Sequence, residues 1–214
     1  EDLKSENLKA LEAGMSNLQR HVENVRKFGL EPVISINRFS ADTEAEIALV
    51  KEACAKLGVE AVMADHWAEG GKGAADVAKA VVRAVESGKS DMKLLYPDEM
   101  PLLEKIRTIA REIYRAKDVA VSKPVLDQLA SFEAMGFGKV PVCIAKTQYS
   151  FSTNPDAKGA PTDHIVTVRE VRLSAGAEFV VAVCGDIMTM PGLPKVPAAN
   201  SIDIGPDGKI VGLF

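Results

Sequence analysis

Cysteine, histidine and tryptophan are scarce in this 214-residue sequence and a net positive charge is lacking, and each of these closes off a class of function. Cys54, Cys143 and Cys184 are far apart, and each lies among apolar neighbours. Neither a disulfide framework nor a zinc-ligand spacing is present, so all three are expected to be buried free thiols. His21, His66 and His164 are as dispersed and offer no metal site. A net charge of −4 leaves no general attraction to polyphosphate, which argues against nucleic acid as a partner. No apolar run approaches the roughly 20 residues that span a bilayer, and no basic start leads into an apolar stretch. The expectation is a cytoplasmic protein that engages no membrane. No Ser, Cys or His arrangement supports a nucleophilic triad, and no carboxylate pair is distinctive, so covalent catalysis finds no candidate.

What is present is a chain with 47% hydrophobic and 26% charged residues, enough to bury a sizeable core as one domain or one domain plus a fragment. Leu8, Leu11, Met15, Leu18, Val22 and Val25 recur at helical steps and predict an amphipathic helix over 5–28, closed by Gly29. Pro32, Val33, Ile34, Ser35 and Ile36 read as a central parallel strand covered on both faces. Thr43 to Glu46 matches a capping box, and Ile47, Val50, Cys54 and Leu57 stripe a helix stopped by Gly58. A strand over 60–63, a loop over 64–73 and a helix striped by Val77, Val81 and Val85 repeat the rhythm. Two more helices follow. The first carries Leu103, Ile106, Ile109, Ala110 and Ile113; the second carries Leu126, Leu129, Phe132 and Met135 and ends at Gly136. A short strand over 119–121 lies between them. Beyond Val140 the character changes to strands over 140–145, 165–173 and 178–184, with a terminal hairpin around 205–208. The fold class is therefore α/β, mostly parallel, with a β-rich C-terminal part.

Ligands of open parallel sheets bind beyond the carboxyl ends of the strands, which singles out three loops. Asn37, Arg38 and Phe39 place an amide, a fixed cation and a ring at one strand end. This suits a flat heterocycle with polar edges, and equally a turn in which Asn37 caps backbone and Phe39 is core. Trp67, the sole tryptophan, precedes Gly70, Gly71, Lys72 and Gly73. It is either a stacking ring or a core residue, and the glycine cluster does not match the G-x-x-x-x-G-K-[ST] phosphate loop. Lys146, Thr147, Gln148, Tyr149 and Ser150 could orient a polar substrate, although Ser and Thr beside a turn more often bond to backbone. Arg107, Arg111 and Arg115 beside Glu104 and Glu112 read as a solvated helix face. A fourth segment, 185–195, sets Met188 and Met190 between prolines, glycines, Asp186 and Lys195, as a pocket wall or a domain seam would.

Taken in order and spacing, several stretches resemble the formate–tetrahydrofolate ligase family, also called 10-formyltetrahydrofolate synthetases. They are 32–39, 42–46, Trp67 with its glycines, 141–150, the loop running to Ala199, and the terminal 210–214. The resemblance implies the C-terminal portion of an ATP-dependent ligase that joins formate to tetrahydrofolate through formyl phosphate. It implies a P-loop-NTPase-like, Rossmann-like layered sheet whose P-loop segment lies upstream of this chain. Residues 1–31 would then be the tail helix of the nucleotide-binding domain, and 32–214 the C-terminal α/β domain. By the same resemblance Phe39 and Trp67 sandwich a flat pterin or adenine ring, while Asn37 and Arg38 bond its edge. ATP with Mg2+ and tetrahydrofolate are the implied cofactor and substrate, and the N-terminal P-loop segment and further copies in a homo-oligomer the implied partners. The rival reading is a non-catalytic binding or assembly module that has lost the P-loop half.

Overall fold

A computed structural model describes residues 5–187 and 195–212. Residues 188–194 of the Met- and Pro-bearing loop lie outside the described residues, and so does the expectation of a shaped wall there.

The first helix, α1 (Leu8–Lys27), starts where the Asn7 side chain accepts a hydrogen bond from the Ala10 N–H at 3.0 Å. It closes at Phe28, followed by Gly29 with φ of +70°, as the glycine signal predicts. Strand β1 (Val33–Asn37) pairs in parallel with β2 (Glu60–Ala64), in register from Val33 opposite Glu60 to Asn37 opposite Ala64. Between them runs α2 (Glu44–Lys56), and its predicted capping box is complete: Glu46 N–H donates to Thr43 Oγ1 and Thr43 N–H to Glu46 Oε2. Val22, Cys54 and Val59 form a small core there, with Leu18, Ile34, Val50, Leu57 and Ala61 packed on it.

β1 departs from the expectation of a strand covered on both faces. It belongs to a two-stranded sheet, Ser35 and Asn37 are exposed, and its other residues are only half-buried. The apolar run was misleading because a narrow sheet has too little surface to be sandwiched. The same narrowness corrects the next helix, α4 (Ala75–Glu86), which follows the single helical turn α3 (His66–Glu69) and a tight 3₁₀ turn (Gly70–Ala74). α4 lies on β1 and β2 through the small Ala80, whereas Val81 and Val85 of the expected buried stripe are 46% and 72% exposed. The 64–73 segment is thus mostly helical turns rather than open loop.

The remainder is thicker. Helices α5 (Leu102–Glu112) and α6 (Lys123–Phe132) cover a four-stranded mixed sheet built from β3 (Asp118–Val121), β4 (Val142–Ala145), β5 (Ile165–Ser174) and β6 (Phe179–Cys184). The order is β3-β5-β6-β4: β3 runs parallel to β5 and β4 to β6, while β5 and β6 are antiparallel. The main core joins Leu102, Ile106 and Ala110 of α5 with Val125, Leu129 and Phe132 of α6 and the apolar faces of β5 and β6. At the end of α6, Gly136 adopts φ of +94° and turns the chain, which leaves Met135 of the predicted stripe exposed; Leu126 is exposed too. A small hairpin, β7 (Asp203–Ile204) and β8 (Ile210–Val211), forms where the terminal turn predicts it. The class is α/β with parallel and mixed sheets. Among the described residues no helix is long and apolar enough to cross a membrane.

α1 ties the two sheets together. Its Asn24 amide donates to the Ile113 carbonyl at 3.0 Å, Arg115 meets Glu23 at 3.2 Å, and Lys27 pairs with Glu112. Arg115 and Glu112 therefore serve a seam, while Arg107 and Arg111 pair with Asp118 at the start of β3. Cys54 and Cys184 are buried as expected, but Cys143 is exposed.

Candidate functional site

Because β1 and β2 are parallel and in register through Asn37 and Ala64, the chain leaves both strands on the same edge. Phe39 comes two residues past the end of β1, and Trp67 three past the end of β2, so the sheet delivers both rings to one carboxyl edge. Both are conspicuously solvated: Phe39 is 63% exposed and Trp67 79%. That removes the alternative in which they are core residues. Each is a large apolar ring left in water on an ordered turn. Among the described residues neither ring is engaged by another ring or a cation.

Local chemistry holds each ring in place. The Phe39 N–H donates to Asp42 Oδ2 at 2.8 Å, and the Asp42 N–H returns to the Phe39 carbonyl at 3.1 Å, a reciprocal pair that closes the 39–42 turn. Trp67 sits on α3, whose base is fastened by Asp65 N–H to the Gly73 carbonyl at 3.0 Å. A Cβ on Gly73 would come within 2.3 Å of the Asp65 carbonyl oxygen, so glycine is needed for that approach. Arg38 is joined to the sheet through its N–H to the Ala64 carbonyl at 3.2 Å, and its guanidinium bonds Glu44 Oε1 at 2.9 Å. Asn37 ends β1 exposed, and its side-chain amide carries no hydrogen bond among the described residues. Of the two polar groups expected to read a ring edge, Asn37 is free and Arg38 is half-committed to α2.

The third loop, past the end of β4, borders a cleft of about 400 Å³. Here the Ser residues behave as the cautious reading predicts. Ser150 Oγ donates to the Ala157 carbonyl, Ser152 Oγ to the Asn154 carbonyl, and the two hydroxyls lie 3.0 Å apart. Lys146 turns its ammonium onto the carbonyls of Thr147, Ser150 and Ser152, over the Tyr114 ring at 4.8 Å. Burial holds its pKa below the ordinary lysine value. Asn17 and His21 from α1, and Tyr114 from the turn after α5, complete the cleft. Local patterns carried no sign of these three, because only packing between elements distant in sequence, α1 and the end of α5, brings them to the β4 edge.

Among the described residues no group of three His, Cys, Asp or Glu side chains is arranged to hold a metal.

Comparison with known proteins settles the lineage. The family model described as formate–tetrahydrofolate ligase matches residues 1–214. This chain belongs to the formate–tetrahydrofolate ligase family. Similar proteins of that name include one from Granulibacter bethesdensis, 57% identical over 99% of this chain, and one from Hyphomonas neptunium, 56% identical over 99%. A third, from Methylibium petroleiphilum, is 55% identical over the whole of this chain. The matches cover 37%, 38% and 39% of those relatives, so the chain spans under two-fifths of the length of the family members it resembles.

Proposed function

We propose that this chain is the ring-binding portion of an ATP-dependent formate–tetrahydrofolate ligase, with Phe39 and Trp67 closing on the two faces of a flat heterocycle. In the reaction read for the whole enzyme, a formate oxygen attacks the γ-phosphorus of ATP, releasing ADP and leaving formyl phosphate. The N10 amine of tetrahydrofolate then attacks the formyl carbon, expelling phosphate and losing a proton. Phosphoryl transfer depends on positioning and charge stabilisation of the phosphates, and those tasks are assigned to the part of the relatives' length that this chain does not span. The contribution of this chain is orientation: two rings fix the plane of the heterocycle, and Asn37, with Arg38 when released from Glu44, bonds its edge. The assignment carries with it a Rossmann-like layering shared with a P-loop segment, a cytoplasmic location and a homo-oligomeric assembly.

The observation that supports this most is the pair of solvated rings at the carboxyl edge of neighbouring parallel strands, 63% and 79% exposed, in a family whose name includes a folate. Aromatic stacking contributes about 0.5–1.5 kcal/mol beyond burial, so Phe39→Ala or Trp67→Ala in the full-length enzyme should weaken tetrahydrofolate binding by up to roughly tenfold, or somewhat more once lost contact area is added. Equilibrium titration of each variant with folate and with nucleotide measures this and tells which ring is held. Unchanged affinity for both ligands would overturn the assignment.

A further inference from the structure

The cleft past β4 has a charge pattern that nothing in the ring-binding role uses. We propose that it is a second ligand site, for a small organic anion that joins a flat apolar body to a carboxylate or phosphate. Of the side chains that line it, none is a carboxylate, while Lys146 brings a half-buried ammonium. Charges drawn away from water are normally paired with an opposite charge, yet among the described residues Lys146 meets three carbonyl dipoles and the Tyr114 ring and no carboxylate. Around the cleft the nearest carboxylates are Glu23 and, beside His164, Asp163. Behind the Phe151 wall, Arg20 and Arg115 share the carboxylate of Glu23, and the Arg20 Nη1 is buried with no hydrogen bond among the described residues. His164 is held below its ordinary pKa by burial and then by Lys146, so it stays neutral and the excess positive charge rests on the fixed cations. An anion in the cleft supplies the missing countercharge.

The walls fit the rest of such a ligand. His21 and Phe151 pack with ring centroids 4.9 Å apart on one side, and Tyr149 is 64% exposed with Lys158 over its ring. Donors are free as well. The Tyr114 hydroxyl and the Gln148 amide carry no hydrogen bond among the described residues. Burial pushes the Tyr114 hydroxyl up to about 12, so it remains a proton donor at neutral pH. The volume of about 400 Å³ lies within the ordinary range of small-molecule sites, roughly 300–1,000 Å³. The loop that forms the rim is already ordered by its serine network, so little conformational freedom remains to be lost on binding.

The test is calorimetric titration of the full-length protein with benzoate, benzamide, acetate and inorganic phosphate. Benzoate and benzamide share a ring and differ in charge; benzoate and acetate share a carboxylate and differ in the ring. Benzoate is expected to bind at least about tenfold tighter than benzamide and measurably tighter than acetate, and the acetate and phosphate arms report which oxyanion the cleft prefers. Tyr114→Phe and, independently, the exposed Gln148→Leu should each weaken benzoate by about tenfold or more, the worth of one hydrogen bond to a charged acceptor. Trp67→Ala should leave benzoate binding unchanged, which separates this site from the ring-binding edge. Equal titration of benzoate and benzamide, no benzoate binding, or loss of it with Trp67→Ala rather than with Gln148→Leu would each overturn the proposal.

Discussion

The two sheets of this chain solve opposite problems. The four-stranded sheet is covered by α5 and α6 and holds the main core, in which Leu102, Ile106 and Val180 are wholly buried. The two-stranded sheet has three fully packed residues in its core, leaves Val81 and Val85 of α4 in solvent, and carries both free rings on its edge. Isolated two-stranded sheets are marginal in water, so the thin layer depends on α2, α4 and the seam made by α1. The contrast teaches a division of labour: the thick layer fixes the fold, and the thin layer leaves its apolar side chains and rings at the surface.

The largest expected effect breaks or keeps that division directly. Ile106→Ala deletes a wholly buried side chain in the thick core and should cost about 2–5 kcal/mol. Trp67→Ala removes a far larger side chain from the thin layer and should move stability by no more than about 0.5 kcal/mol, since its ring is solvated. Denaturant unfolding of both variants compares them. A Trp67→Ala loss as large as that of Ile106→Ala would make the ring structural and dissolve the distinction.

A smaller effect sharpens the picture within the thin layer. Gly73→Ala places a methyl 2.3 Å from the Asp65 carbonyl oxygen, a backbone atom that cannot swing aside. The 65–73 turn must open, at about 1–3 kcal/mol by analogy with overpacked sites. Hydrogen exchange at the Asp65 amide, which donates to Gly73, should accelerate while amides of β5 and β6 stay protected. If those strands exchange faster too, the layers are not energetically distinct.

How much of this was legible beforehand follows the same line. In the thick layer, periodicity and turn residues located α5, α6 and every strand, because each element there buries a face wide enough to write itself into the sequence. The capping box at Thr43, the stop at Gly136 and the terminal hairpin are likewise local chemistry and were readable. Errors gather where neighbours decide burial. Val33 to Ile36 look like a doubly covered strand, and Val77, Val81 and Val85 like a buried stripe, but a two-stranded sheet covers neither. Phe39 and Trp67 stand out because they follow strands, although composition alone could not tell solvated rings from core rings. Asn17, His21 and Tyr114 escaped notice, since nothing local announces that α1 crosses to the β4 edge. Lys105 is the extreme case: a lysine on a helix reads as surface, yet it is wholly buried with its ammonium on the Gly138 and Val140 carbonyls.

The capping box tests how much local chemistry contributes to the thin layer. Thr43→Ala removes the acceptor of the Glu46 N–H and should cost about 1 kcal/mol. Glu46 also accepts from the Asn7 and Thr43 N–H groups, first Asn7 and then Thr43, and these hold its carboxyl below the ordinary value. A depressed carboxyl stabilises the fold above its unfolded pKa and loses that contribution as pH falls through the folded value. The stability gap between the parent chain and Glu46→Gln should therefore be widest at neutral pH and close on acidification. A gap that widens on acidification would show that the pairing adds nothing.

The smallest effect needs no mutation. Cys143 lies exposed on β4, while burial pushes the Cys54 thiol up and the Cys184 thiol up to about 12. Only the thiolate reacts with a disulfide reagent, so of the three cysteines Cys143 should react at once in the native protein and the other two only on opening. Cys54 belongs to the thin core and Cys184 to the thick one, so their slow phases report local opening of each layer separately. Cys54 is expected to react first. Should Cys184 precede it, the four-stranded sheet opens more readily than the two-stranded one, and the division of labour between them is reversed.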